Sequence, residues 1–357
     1  MNRRPDNAVW GPSAVKWKSF GTSGLKVTEL CFGTMTLAGQ ADQKASYAIL
    51  DAVFEGGIRF LDTADVYPIP MLLETLGDTE TLLGKWMALR KHRDDLVLAT
   101  KGYFPSGPLP IHRGTSRLHL LRACEASLRR LRTDRVDLYL CHGWDPTVPV
   151  EEVLRALEQL RQDGKILYAG WSNLRAHEVA DLLVQATRLG AAGIQGLQPR
   201  YNVFHREAEE SLFPLARRFG LGTMVYNPIA GGILSGKHQP GKPPAKGTRF
   251  TLGATGEVYR ARYWNERLLK EAAALKREAE RHGLSLVRAA VAWVLANPDV
   301  TSAIIGASKV SQLADHLQAP TTVLPAALKE RLDRVWFDLP RQAPNLDNPR
   351  LSDWYGA

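Results

Sequence analysis

Phe60-Leu61-Asp62-Thr63-Ala64-Asp65-Val66-Tyr67 is a short apolar run that stops at an acid and presents a tyrosine five residues later. Alone it reads as a buried strand ending in a turn. Two further apolar runs end the same way: Leu96-Val97-Leu98-Ala99-Thr100 delivers Lys101, and Val136-Asp137-Leu138-Tyr139-Leu140-Cys141 delivers His142. An acid, a phenol, an ammonium and an imidazole therefore sit just past the carboxyl ends of successive strands. In a barrel of parallel strands that rim is where catalytic residues gather. The expectation is that Asp62, Tyr67, Lys101 and His142 meet there and move a proton to a carbonyl.

The chain on either side alternates in the same manner. Residues 16–20 and 25–28, around Gly21-Thr22-Ser23-Gly24, read as a hairpin, expected to plug the bottom of the barrel. Strands are expected at 30–33, 60–62, 96–100, 136–141, 166–171, 193–197, 221–225 and 302–305. Helices are expected at 44–55, 79–89, 117–131, 150–162, 178–189, 207–219, 264–282, 285–296 and 310–317. In the 79–89 helix the apolar face is Leu82, Leu83, Trp86 and Leu89; in the 117–131 helix it is Leu118, Leu121, Leu128 and Leu131. The segment 231–259, rich in Gly and Pro, reads as a long irregular lid, and 68–78 as a second long connection beside the site. The fold class is α/β, a (β/α)8 TIM barrel over 16–318, preceded by a polar extension over 1–15 and followed by a helix and tail over 319–357.

Composition narrows the partners. With 45% hydrophobic residues in 357 the chain can bury a large core. Its net charge of +9 comes from dispersed Lys and Arg; Arg129, Arg130, Arg132 and Arg135 alternate with apolar residues as on the wet face of a helix. No basic stripe or nucleic-acid module is present, so a phosphorylated cofactor or substrate explains the charge better than a polynucleotide. No apolar run approaches the ~18 residues of a membrane span. The polar first residues hold no secretory h-region, and Cys31, Cys124 and Cys141 are odd in number and far apart, which fits a reducing cytoplasm. No metal site is expected, and the oligomeric state is not legible.

A tyrosine phenol, with a pKa of about 10, is a poor acid near neutrality. An ammonium beside it stabilises phenolate and lowers that value, while a buried carboxylate keeps the lysine charged and fixed. Lys101 and Asp62 supply these parts to Tyr67. His142 can donate a hydrogen bond to a carbonyl oxygen and orient it. This set activates a carbonyl but holds no reductant, which a nicotinamide cofactor supplies. Ser172, Asn173 and Gln198, at later strand ends, offer donors and acceptors to a carboxamide; Tyr226 offers a face for stacking. Gly306-Ala307-Ser308-Lys309 precedes a helix, where backbone N–H groups favour a phosphate. Each residue alone has a plainer reading: Asp62 and Asp65 as helix caps, His142 as a core histidine, Ser172 and Gln198 as turn residues.

Together these stretches resemble the aldo-keto reductase superfamily, over about residues 16–317. The resemblance is carried by Phe20-Gly21-Thr22-Ser23-Gly24-Leu25-Lys26-Val27, Phe60 to Ala64 with Tyr67, Ala99-Thr100-Lys101, Val136-Asp137-Leu138-Tyr139 and Gly170-Trp171-Ser172-Asn173. Gln198-Pro199-Arg200-Tyr201-Asn202 and the stretch from Pro228 to Lys237 complete it. It implies reduction of aldehydes or ketones with NADPH, Tyr67 as general acid, and Asp62, Lys101 and His142 as its companions. It would place Ser172, Asn173, Gln198 and Tyr226 at the nicotinamide. Asn227, Pro228, Gly236 and Lys237 would lie over the pyrophosphate. The Arg200-Tyr201-Asn202 signature is similar to the bacterial and potassium-channel-β-subunit-like branches.

One departure stands out. Near Gly306 the family usually has an arginine for the 2′-phosphate; here Ser308, Lys309 and Gln312 stand in that region, with Asp315 and His316 replacing the usual glutamate and asparagine. Lysine holds phosphate as a point charge rather than bidentately, which leaves NADH use open beside NADPH. Two functions fit: a reductase of a small-molecule carbonyl substrate, or an NADPH-binding regulatory subunit with slow turnover. A barrel hydrolase would need two carboxylates across a cleft, and Asp62 beside a lysine is a poor candidate.

Overall fold

The structure, a computed structural model, describes residues 15–340. The first residues of the polar extension and the end of the tail lie outside them. Strands β1 (Trp17–Ser19) and β2 (Lys26–Thr28) pair antiparallel as the hairpin. Eight parallel strands follow: β3 (Leu30–Gly33), β4 (Phe60–Asp62), β5 (Val97–Gly102), β6 (Val136–Cys141), β7 (Ile166–Ser172), β8 (Gly196–Gln198), β9 (Gly222–Val225) and β10 (Ser302–Ile305). They close in chain order, with β10 pairing both β9 and β3. This is the expected (β/α)8 barrel.

The strands are short and apolar because both faces are covered. Helices α1 (Gln43–Glu55), α2 (Asp78–Arg90), α3 (Arg117–Leu131), α4 (Val150–Gln162), α5 (Ala176–Leu189) and α6 (Leu212–Phe219) wrap the first part of the barrel. Then come α7 (Gly253–Tyr263), α8 (Glu266–Arg281), α9 (Leu286–Leu295), α10 (Leu313–Gln318) and α11 (Ala326–Arg334). The last of these buries Leu328 and Leu332 in the main core, and the Trp293 indole donates to Asp333 at 2.7 Å.

The hairpin does plug the amino-terminal end. Phe20 is wholly buried and meets Phe60 edge-on at 6.3 Å. It needs glycine beneath it: a Cβ on Gly196 or Gly222 would stand 2.4 or 2.5 Å from its ring. With that end closed by a side chain, open space is left at the carboxyl rim.

Several boundaries differ from expectation, each for a local reason. The strand read at 193–197 begins at Gly196, because Gly193 takes φ +63° and breaks the extended run. The helix read at 207–219 splits into a short 3-10 turn and α6. A continuous helix would drive the Pro214 ring into the carbonyl four residues earlier, whereas α6 starts at Leu212 and holds Pro214 in its first turn. The buried face of α3 is Leu120, Cys124, Leu128 and Leu131; Leu118 lies off that stripe and is exposed, as is Leu89 at the end of α2. The lid is not irregular throughout: 3-10 turns lie at Ala230–Ser235 and Arg249–Thr251, and α7 begins at Gly253.

Candidate active site

Four strand ends converge on one cavity at the carboxyl rim, lined by Asp62, Tyr67 and His142 among others. Lys101, fully buried, donates to Asp62 Oδ2 at 2.7 Å and to the Thr63 carbonyl at 2.7 Å. Gln198 Nε2 donates to the other carboxylate oxygen at 2.9 Å. Burial drives the Asp62 carboxyl upward, opposed by Lys101 and Gln198. A buried ion pair holds only when such added hydrogen bonds offset its desolvation. Asp62 is therefore no helix cap, and the lysine that ends an apolar strand has its partner.

Tyr67 departs from the expectation. The Lys101 ammonium stands 5.2 Å from the ring centroid, toward the ring rather than hydrogen-bonded to the hydroxyl. Burial, then Asp62, push the phenol well above its ordinary value, and Arg249 opposes them. The anticipated lowering is reversed because the lysine charge is spent on Asp62, whose own charge repels phenolate. His142 packs edge-on against Tyr67 at 6.1 Å and against Phe104 at 4.9 Å. Burial and Lys101 hold it well below the usual imidazole range, so it is neutral. Asp65 is buried, not a cap; burial and then Glu80 raise its carboxyl.

The later strand ends form one linked array. Ser172 Oγ donates to the Gln198 carbonyl at 2.9 Å, and Asn173 Nδ2 to the His142 carbonyl at 2.9 Å. The Tyr226 hydroxyl donates to Asn173 Oδ1 at 2.8 Å. Asn173 and Asn227 both take left-handed backbone, φ +61° and +60°, a conformation that asparagine tolerates and that gathers at functional sites. From this cavity a groove runs outward past Asn227, Pro228, Lys237, Gly306, Ser308 and Gln312 to Asp315 and His316. Asn227 and Gly306 line both spaces. Burial first, then Arg249 and Lys309, lower the Lys237 ammonium, which marks three cations crowded at this end.

Two residues sit apart from the groove wall: Lys309 is exposed at its edge, and Gly236, φ +68°, turns the chain and backs onto Lys276. The phosphate site read at the helix start also differs. Gln312 Oε1 already accepts from the Ser308 and Lys309 amides, at 2.8 and 3.3 Å, and α10 is short. His316 is buried, pushed down to about 4 by that burial.

Residues 29–336 match the model of the Aldo/keto reductase family. The chain belongs to the aldo/keto reductase family. Relatives include a probable voltage-gated potassium channel subunit beta of Oryza sativa subsp. japonica, 36% identical over 90% of this chain and 95% of that one. Another is the uncharacterized oxidoreductase YrpG of Bacillus subtilis (strain 168), 33% identical over 95% of this chain and 100% of its own. The resemblance to the channel-β-subunit-like and bacterial branches is thus correct, and this aldo/keto reductase is an oxidoreductase. No helix among the described residues is long and apolar enough to cross a membrane.

In this aldo/keto reductase the lid supplies what sequence reasoning missed. Arg249 lines both the cavity and the groove, 3.4 Å from Asn227 Oδ1 and 3.5 Å from the Tyr259 hydroxyl. Thr255, Val258, Tyr259 and Arg262 of α7 complete the cavity. Their spacing of i, i+3, i+4 and i+7 was a readable signal, hidden by the glycines around it.

Proposed function

We propose that this protein reduces an aldehyde or ketone to an alcohol, with NADPH as the hydride donor. The observation that carries the reading is the buried Lys101–Asp62 pair set beneath Tyr67 and His142 in one cavity. The groove suits the cofactor. Asn227 Nδ2 and His316 Nδ1 are buried within it without a hydrogen-bond partner among the described residues, and Lys237 and Arg249 bring positive charge for its phosphates. Asn227, Pro228, Lys237 and Arg249 would hold the pyrophosphate, and Ser172, Asn173, Gln198 and Tyr226 the nicotinamide. Lys309 and Ser308 would meet a 2′-phosphate once Gln312 moves off their amides.

NADPH, when bound, supplies the hydride to the carbonyl carbon. Tyr67 gives its phenolic proton to the carbonyl oxygen, and a neutral His142 donates a hydrogen bond to that oxygen, orienting it. Lys101 and Asp62 hold each other as a pair beneath the Tyr67 ring, and solvent returns the proton. The three free, buried cysteines fit a cytoplasmic setting.

The test is NADPH oxidation with aldehydes, ketosugars and α-dicarbonyls, run beside Tyr67→Phe. Steady turnover lost in the variant supports the reading; full activity in Tyr67→Phe removes the phenol from the acid role. The kinship to a protein described as a channel subunit beta favours a second reading, a cofactor-binding subunit with slow turnover. It predicts a single burst of oxidation followed by a stall.

A further inference from the structure

His238 stands on the wall of the outer groove, one residue past Lys237 in the lid. It is 8% exposed, and its Nε2 is buried with no hydrogen-bond partner among the described residues. Two rings hold the imidazole nearly at right angles, Phe250 at 5.2 Å and Trp264 at 4.9 Å. A buried polar atom left without a partner costs stability, so an imidazole fixed in this way on the wall of a groove calls for a ligand atom.

The charges around it are set from several elements. Lys237 precedes it in the chain, and Arg249 stands on the turn that carries Phe250. Lys276 of α8 backs onto Gly236 and pairs with Glu280 at 3.5 Å. Glu266, at the start of α8, accepts from the Gly241 amide at 2.9 Å and pairs with Lys270 at 3.4 Å. Helix α10 brings Asp315 and His316 to the same groove, and Lys309 adds its charge to Lys237 and Arg249. Burial, then Lys237, hold the His238 imidazole down at about 4, so it is neutral near neutral pH. An anion entering the groove offsets Lys237 and offers an acceptor. Both effects favour the imidazolium, in which each ring nitrogen is a donor.

We infer that His238 is a phosphate-binding residue of the groove, neutral in the free protein and charged in the complex, so that binding of the cofactor draws one proton from solvent onto the imidazole. The inference rests on the groove being the cofactor site proposed above.

Calorimetric titration with NADP+ at pH 6, in MES and again in ACES, counts protons, because the two buffers differ in heat of ionisation. His238→Gln removes the titrating group. If that variant fails to fold, His238→Phe keeps a ring against Phe250 and Trp264. The wild type should take up about half to one proton more than either variant, and the 2′-phosphate's own proton cancels in that difference. The affinity advantage of the wild type should also grow at least roughly threefold between pH 7.5 and pH 6, the direction that an added proton requires.

NAD+ carries the diphosphate without the 2′-phosphate. The same excess with NAD+ sets His238 at the diphosphate, and an excess confined to NADP+ sets it at the 2′-phosphate. NADP+ binding with equal proton counts in the wild type and the His238 variants overturns the inference and leaves the cofactor reading standing. An excess that survives in the His238 variants and disappears in His316→Asn overturns it as well, by moving the proton to the other histidine. Binding of neither nucleotide overturns the inference and the cofactor reading together.

Discussion

Lys101 and Asp62 form an ion pair at 2.7 Å in which the lysine side chain is entirely shielded from solvent. Gln198 closes the second oxygen of the aspartate from the far side of the barrel, across 136 residues of sequence. Removing one partner strands the other. Lys101→Met should cost roughly 3–5 kcal/mol, the typical loss on breaking a buried pair, and should abolish turnover. The double variant Asp62→Asn with Lys101→Met should recover much of the stability and none of the activity. Urea unfolding of the four proteins checks this; strictly additive losses would contradict it.

In the proposed reaction Tyr67 would enter as a protonated phenol, because burial and Asp62 hold its pKa above the ordinary value of about 10. The acid form is required, so activity is lost only as pH rises through that raised value. The rate with a good substrate should stay flat up to about pH 10 on the alkaline side. Tyr67→Phe should lower kcat by roughly 10²–10⁴, the usual worth of a general acid, while NADPH binding by fluorescence changes little. An alkaline limb falling near pH 8 in the wild type would point to another group.

Histidine burial should make the fold sensitive to mild acid. Burial depresses His119, His238 and His316 to about 4. The unfolded chain protonates them near 6.5, so the unfolded state holds more protons between those values. Their contribution is full above about pH 6.5 and is lost as pH falls toward 4. His119→Gln should remove up to roughly 1.4 kcal/mol per pH unit from the slope in that window. Urea midpoints at pH 7, 5.5 and 4.5 check it, and identical slopes would count against it.

Arg249 joins Lys237 and Lys309 at the outer groove. Arg249→Met should weaken NADPH binding roughly tenfold, the worth of one charge-assisted contact, and flatten its salt dependence. Fluorescence titration at low and high salt measures both; unchanged affinity would remove Arg249 from the phosphate set.

Gly222 marks the sealed end of the barrel. Gly222→Ala sets a methyl 2.5 Å from the Phe20 ring. The cost should be about 1–3 kcal/mol, the range for overpacking a filled core. Thermal unfolding reads it, and a loss recovered by adding Phe20→Leu would confirm the clash.

The sequence by itself determined the barrel and the four residues at its mouth. A parallel strand buried on both faces must be short and largely apolar, so an ionisable residue at its carboxyl end falls at the rim, as Asp62, Lys101 and His142 do. Local pattern carries that much because burial and chain direction are local properties of each strand. Three things were decided by tertiary structure. The Tyr67 phenol is raised rather than lowered because the orientation of Lys101 depends on Asp62 and Gln198, which no spacing encodes. The Ser308 and Lys309 amides are taken by a side chain, Gln312, which caps the turn that it closes. The lid became a cavity wall when Gly231 and Gly256 let α7 approach, since glycines that read as breakers in a sequence serve as points of close contact once two segments meet.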